Sequence, residues 1–229
     1  MAKLSFLQSL ANSGNQNSFA NKVRKKRMKL FETYFPEVLL DKPLKILDLG
    51  GTCNFWKQMG YENKTEIEIL LLNLEVQETS VKNIRSIAGD ACDLSQFIDK
   101  HFDIVFSNSV IEHVGNFQRQ KEMAKEIIRV GKGFFVQTPN YWFPLEPHFL
   151  FFGFHYMPLW LKTYFVQNFS LGWMGQHKDK EKALEVADSV HLLSKGQLRK
   201  LFPNAKILNE YFIGLVKSVM IIQSICKND

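Results

Sequence analysis

The sequence predicts an α/β protein built on an open, doubly wound, mainly parallel sheet. Three observations carry this. Between Ile46 and Gln137, short apolar segments alternate with polar or helix-forming stretches, as parallel strands joined by crossovers do. Four of those segments end in small, acidic or amide residues, where an open parallel sheet holds its ligand. The chain then closes on two apolar stretches, Lys206 to Phe212 and Val216 to Ile225, joined through Gly214, a spacing that suits an antiparallel hairpin.

The elements follow in order. Residues 12–18 (NSGNQNS) form a polar breaker, and Phe19, Val23, Leu30, Phe31 and Tyr34 then recur at helical spacing until Pro36. Pro43 precedes the first strand, Ile46 to Leu49. The second strand is Ile67 to Leu74, the third Asn83 to Ala88, the fourth Phe102 to Phe106 and the fifth Gly133 to Gln137. A helix is expected over Gln118 to Val130 and another over Ser194 to Phe202, stopped by Pro203-Asn204. The expected organisation is an N-terminal helical segment, 1–40, followed by one domain, 41–229, with an aromatic lid at 141–175.

Composition narrows the partners. Net charge is +6, and much of the excess lies in Lys22 to Lys29, KVRKKRMK. That run reads as a solvated helix face, with attraction to anionic lipid or nucleic acid as the alternatives. Three scattered cysteines without metal-ligand spacing suit reduced thiols in a cytoplasmic protein. The opening MAKLSFLQSL lacks the long apolar core of a signal peptide, and no uncharged apolar run reaches a bilayer-spanning length.

The strand ends hold the chemistry. They are Asp48-Leu49-Gly50-Gly51, then Asn73 and Glu75, then Gly89-Asp90-Ala91, then Ser107-Asn108-Ser109. In these positions KILDLGGTCNFW, IAGDACDL, FDIVFSNSVIEHV and GFFVQTPN resemble, in order, the motifs of class I S-adenosylmethionine (SAM)-dependent methyltransferases. The likeness is to the broad group with a methyltransferase 11-type domain, and it covers about residues 45–140. It implies a Rossmann-like mixed sheet of seven strands, the last inserted antiparallel, and SAM as cofactor. It also implies that Asp48, Gly50, Gly51, Thr52 and Asn54 shape the methionine end and that Asp90 with Ala91 takes adenine. Asn108 and Ser109 would border the transferred methyl. Asn73 and Glu75 share a strand face, so either suits the ribose; a carboxylate accepts from both hydroxyls.

The first motif departs from the family pattern. Of three alternating glycines only Gly50 stands, with Thr52 and Asn54 at the other two positions, and Gly51 and Phe55-Trp56 are added. This GGT…FW turn resembles a subset of bacterial methyltransferases often linked to surface-sugar or secondary-metabolite pathways. A nicotinamide enzyme would show G-x-G-x-x-G here. DNA N-methylases commonly show a Pro-Pro-aromatic tetrad where this chain has Ser107-Asn108-Ser109-Val110.

Candidate bases are Glu112, His113, His148 and His155, with His148 and His113 assigned the catalytic role. In the stretch after the fourth strand only Glu112 and His113 carry ligand atoms, so the sequence assigns no metal. Residues 141–161 (YWFPLEPHFLFFGFHYMPLWL) are dense in aromatics and carry no formal charge from Phe149 to Leu161. They read as a helix pair packed on the sheet edge, a lid over an apolar acceptor, or a peripheral membrane contact. The expected activity is SAM-dependent methylation of a hydroxyl or amine on a small sugar-, lipid- or natural-product-like molecule, with no nucleic-acid partner. A non-catalytic SAM- or ligand-binding protein on the same fold is the alternative.

Overall fold

Strand β1 (Leu44–Leu49) forms from a short apolar run whose side chains alternate between two buried environments. In the computed structural model, which describes residues 19–35 and 43–225, Leu47 and Leu49 face one core layer and Ile46 the other. The breaker at 12–18, Pro36 and Cys226 lie outside the described residues. Strands β2 (Ile67–Asn73), β3 (Ile84–Ala88), β4 (Phe102–Asn108) and β5 (Gly131–Pro139) run parallel to β1. The expected hairpin is present as β8 (Lys206–Phe212) and β9 (Leu215–Gln223), turning through Gly214 at φ +75°. Strand β9 enters the sheet antiparallel to β5, giving seven strands in the order β3-β2-β1-β4-β5-β9-β8.

Two layers of helices cover the sheet. One holds α1 (Phe19–Tyr34), which buries Met28 and Phe31, and α2 (Cys53–Gln58), which buries Trp56. On the other side α3 (Phe117–Val130) packs Met123, Ala124, Ile127 and Val130 against Leu47, Val105 and Phe134. Helix α6 (Lys195–Leu201) joins that layer through Leu198 and Leu201. Its start is held by a capping box, in which Ser194 and Gln197 exchange side-chain and backbone hydrogen bonds. The strand–helix alternation lapses around β3: residues 74–83 and 89–101 contain turns without a helix, so Arg85 is exposed.

Residues 140–193 leave the sheet and return to it. A two-strand hairpin, β6 (Leu145–Glu146) with β7 (Phe151–Phe152), is followed by a 3-10 turn, α4 (Leu159–Asn168) and α5 (Lys180–Ala187). These pieces share their own small core of Phe149, Phe154, Val166, Ala183, Ala187 and Leu192. Phe149 and Phe154 stack at 4.0 Å. The packed unit therefore continues past the expected boundary at 175, because α5 supplies the alanines against which the aromatic rings close. It rejoins the sheet where Asn140 bridges to Leu193.

Candidate active site

Sheet order reverses between β1 and β4, so a crevice opens beyond their carboxyl ends. There the chain turns through Gly50, whose φ of +73° suits glycine and whose added Cβ would lie 2.5 Å from Val110. Gly51 is needed for a different reason. A Cβ there would lie 1.6 Å from Asp48 Oδ2, so the bare backbone makes room for the protein's own carboxylate. Asn73 Nδ2 donates to Gly51 O at 3.0 Å, bracing the turn from β2. Thr52, standing at a family glycine position, caps α2 by accepting from Phe55 N at 3.2 Å.

Asp48 is buried, and Trp56 Nε1 donates to its Oδ2 at 2.6 Å. Its Oδ1 is buried without a partner. Burial raises its pKa to about 8, against the lowering effect of the indole hydrogen bond. Trp56, the second ring of Phe55-Trp56, thus earns its place as a donor to the motif's acid. A cavity of about 250 Å³ opens beside this carboxylate. Gly50, Gly51, Thr52, Asn54 and Asn108 line it together with the rings of Phe55 and Phe106.

The basic run does not behave as one face. Lys22, Lys25, Lys26 and Lys29 are exposed, but Arg24 and Arg27 turn inward. Arg24 lines the cavity, and burial followed by the charge of Arg27 lowers its pKa. Arg27 forms a two-pronged ion pair with Glu210 on β8 at 2.7 and 2.9 Å. It also donates to Asn108 Oδ1 at 3.0 Å and Gln137 Oε1 at 2.9 Å. Burial works against ionisation of Glu210, yet Arg27 holds it below the usual carboxylate range. Ser109 follows with a left-handed φ of 59° and donates its hydroxyl to the same Gln137 oxygen. A helix read from sequence as a solvated face therefore fixes the end of β4. Its signal was the arginine pair at i, i+3, on the side bearing Met28 and Phe31.

The remaining cofactor candidates lie along the neighbouring strand ends, outside the cavity wall. Glu75 is exposed just past β2, between Leu74 and Val76, which are 82% and 65% exposed. Such open apolar side chains at this strand end were not singled out from sequence. Asp90 accepts from Cys92 N at 2.9 Å and pairs with Arg119. Burial opposes its ionisation, but the Cys92 N–H and Arg119 hold its pKa low. Ala91 is half-buried beside it.

Beyond β4 the two histidines assigned from sequence meet. His113 Nε2 lies 3.0 Å from His148 Nε2, with the rings perpendicular. His148 comes from the insert, where its Nδ1 faces Glu146 Oε1 at 2.7 Å. Glu146 is buried, and its other oxygen accepts from His148 N and Phe149 N. Glu112 is fully buried: Oε2 accepts from Thr138 Oγ1 at 3.0 Å, and Oε1 has no partner. Burial raises Glu112 to about 7. His113 is pushed down to about 4 by desolvation and then by His148. For His148, burial opposes the proton, but Glu146 more than offsets it and the pKa rises. His155, a further candidate base, is spent inside the insert on Tyr141 O at 2.8 Å.

Comparison with known proteins adds to this geometry. Residues 47–134 match a family described as a methyltransferase domain. Two proteins of Mycobacterium tuberculosis, both described as uncharacterized (MT1557 and Rv1509), are 37% identical over 59 residues, 25% of this chain. The chain matches about a fifth of the length of those relatives. Among solved structures it is similar to the CurJ carbon methyltransferase, with TM-score 0.58 and 11% identity over 98% of this chain and 58% of that one. A SAM-dependent methyltransferase from Archaeoglobus fulgidus gives 0.51 and 13% over 88% and 92%. At such identities the likeness establishes the fold.

Proposed function

We propose that this chain, which has the fold of the class I SAM-dependent methyltransferases and matches a methyltransferase-domain family over residues 47–134, moves a methyl group from SAM to a hydroxyl or amine of a small acceptor. The observation that carries the reading is the charge pattern of the crevice cavity. Asp48 Oδ1 is a buried acceptor without a partner, and Arg24 reaches the same cavity. The amino-acid end of SAM offers an ammonium and a carboxylate, which complement that pair. Ionised Asp48 also becomes easier to keep buried once a cation sits beside it.

When bound, SAM supplies a sulfonium-activated methyl group that an acceptor lone pair takes as the S–C bond breaks. The protein's part is to hold and orient. Asp48, Gly50, Gly51, Thr52 and Asn54 would hold the methionine end. Glu75, aided by Asn73, would hold the ribose, with Asp90 and Ala91 at the adenine. Asn108, fixed by Arg27, and Ser109 would border the methyl, where positioning supplies most of the rate. With no ion held between them, His113 and His148, which meet beyond that strand end, would take the acceptor's proton.

The insert supports a small apolar or ring-bearing acceptor, because Trp142, Phe152 and Trp160 are each about 70% exposed beside this region of the chain. Those rings, together with the exposed lysines of α1, also support a peripheral membrane contact on the cytoplasmic side. No helix among the described residues is long and apolar enough to cross a bilayer. Incubating the chain with SAM and a panel of sugar, lipid and phenolic acceptors, then reading product masses, tests the activity. A gain of one methyl on a member of the panel is the expected result. SAM bound tightly but never turned over on any acceptor class would favour a binding protein instead.

A further inference from the structure

We propose that Glu112, His113 and His148 form a divalent-cation site of the transition-metal class, with zinc the ion best matched. The tautomers carry the case. A backbone carbonyl, Ser189 O, faces His113 Nδ1, and a carboxylate, Glu146 Oε1, faces His148 Nδ1. Neither acceptor carries a hydrogen, so both Nδ1 atoms are the donors. In the neutral rings both Nε2 atoms then present lone pairs, and they point at each other across 3.0 Å. Two facing lone pairs repel unless a positive charge lies between them.

The third ligand atom comes from Glu112, whose buried Oε1 has no partner. The ligand atoms of the three residues all lie within 4.8 Å of one another. Ions bound at about 2.0–2.1 Å by tetrahedral imidazoles hold their nitrogens about 3.3 Å apart, so little movement is needed. Two imidazoles and one carboxylate suit zinc, iron(II), cobalt(II) or manganese(II) better than magnesium or calcium. The surroundings are built as metal shells are: Glu146 orients His148, Ser189 O orients His113, and Thr138 donates to Glu112. One flank stays open, because His113 is exposed. A three-ligand ion keeps a position there for water or for an acceptor oxygen, whose pKa it would lower.

The sequence assigns no metal because only Glu112 and His113 carry ligand atoms in the stretch after the fourth strand. The completing ligand lies 35 residues further on, in the insert.

The site stands whether or not the chain transfers methyl groups, and its test is read without SAM. The untagged full-length chain is stripped with a chelator and titrated calorimetrically with zinc chloride. Cobalt(II) absorption reports the ligand field in parallel. We expect one ion per chain, and binding about tenfold weaker or worse in His148→Ala, His113→Ala and Glu112→Gln. Glu146→Gln should weaken it less. His113 is exposed, so its variant keeps the fold even where the buried substitutions do not. No zinc uptake by the folded chain would mean that a proton alone bridges the imidazoles, and would overturn the proposal. Uptake unchanged in His113→Ala and His148→Ala would overturn it equally.

Discussion

Asp48 is held in a costly state, a buried carboxyl with one oxygen unpartnered. Its carboxyl has an ordinary pKa of 3.8 and rises to about 8 in the folded chain. Between those values the folded protein holds a proton that the unfolded chain has released. Its contribution to stability is therefore greatest below about pH 4 and is lost progressively as pH rises to about 8. Replacing it by Asn keeps the Trp56 hydrogen bond and removes the titration. Asp48→Asn should raise the stability of the ligand-free protein by roughly 1–3 kcal/mol at pH 8, with a smaller gain at pH 5. Thermal melts at the two pH values check this, and equal gains at both would refute it. Gly51→Ala should act in the opposite direction, because the new methyl meets the Asp48 carboxylate. A loss of about 2–4 kcal/mol in chemical denaturation is expected. The sequence made Asp48 and the glycines visible as a motif. It could not show that Gly51 accommodates a side chain of the protein itself.

At the level of elements, the strands were readable because parallel strands buried on both faces leave continuous apolar runs. Their starts and ends agree to within a few residues: β2 was expected over 67–74 and spans Ile67–Asn73. The hairpin was readable from Gly214 between two apolar runs. Helix α1 was only half readable. Its period showed a buried face, but Arg27 finds Glu210 across 183 residues of sequence, a pairing that no local pattern encodes. This pair ties α1 to β8 and, through Asn108, to the end of β4. Arg27→Met removes one partner and leaves the part-buried Glu210 without its guanidinium. The expected cost is on the order of 3 kcal/mol. It should appear as early loss of α1 protection in hydrogen exchange. Unchanged protection would show that apolar packing by Met28 and Phe31 alone holds the helix.

On the proposed function, the whole molecule divides its labour between a sheet that would bind the cofactor and an insert that would face the acceptor. The meeting of His113 with His148 belongs to this scale, since one comes from the sheet's loop and the other from the insert. Sequence could nominate both histidines but not their distance, because the insert that carries His148 packs around an aromatic core of its own and not along the strands. Its outer rings are left exposed, and they give a prediction for the molecule's surroundings. The double variant Trp142→Ser, Trp160→Ser should lower partitioning onto anionic lipid vesicles severalfold, as read by co-sedimentation. Partitioning that is absent in the parent chain, or unchanged in the variant, would remove the membrane contact from the account.

On the proposed function, the β1/β4 crevice takes the methionine end of SAM between Asp48 and Arg24. Calorimetric titration of the chain with SAM, repeated on Asp48→Asn and Arg24→Ala, tests it most directly. One site with affinity on the order of micromolar is expected, weakened about tenfold or more in each variant. No measurable heat at millimolar SAM, or binding indifferent to both substitutions, would contradict it.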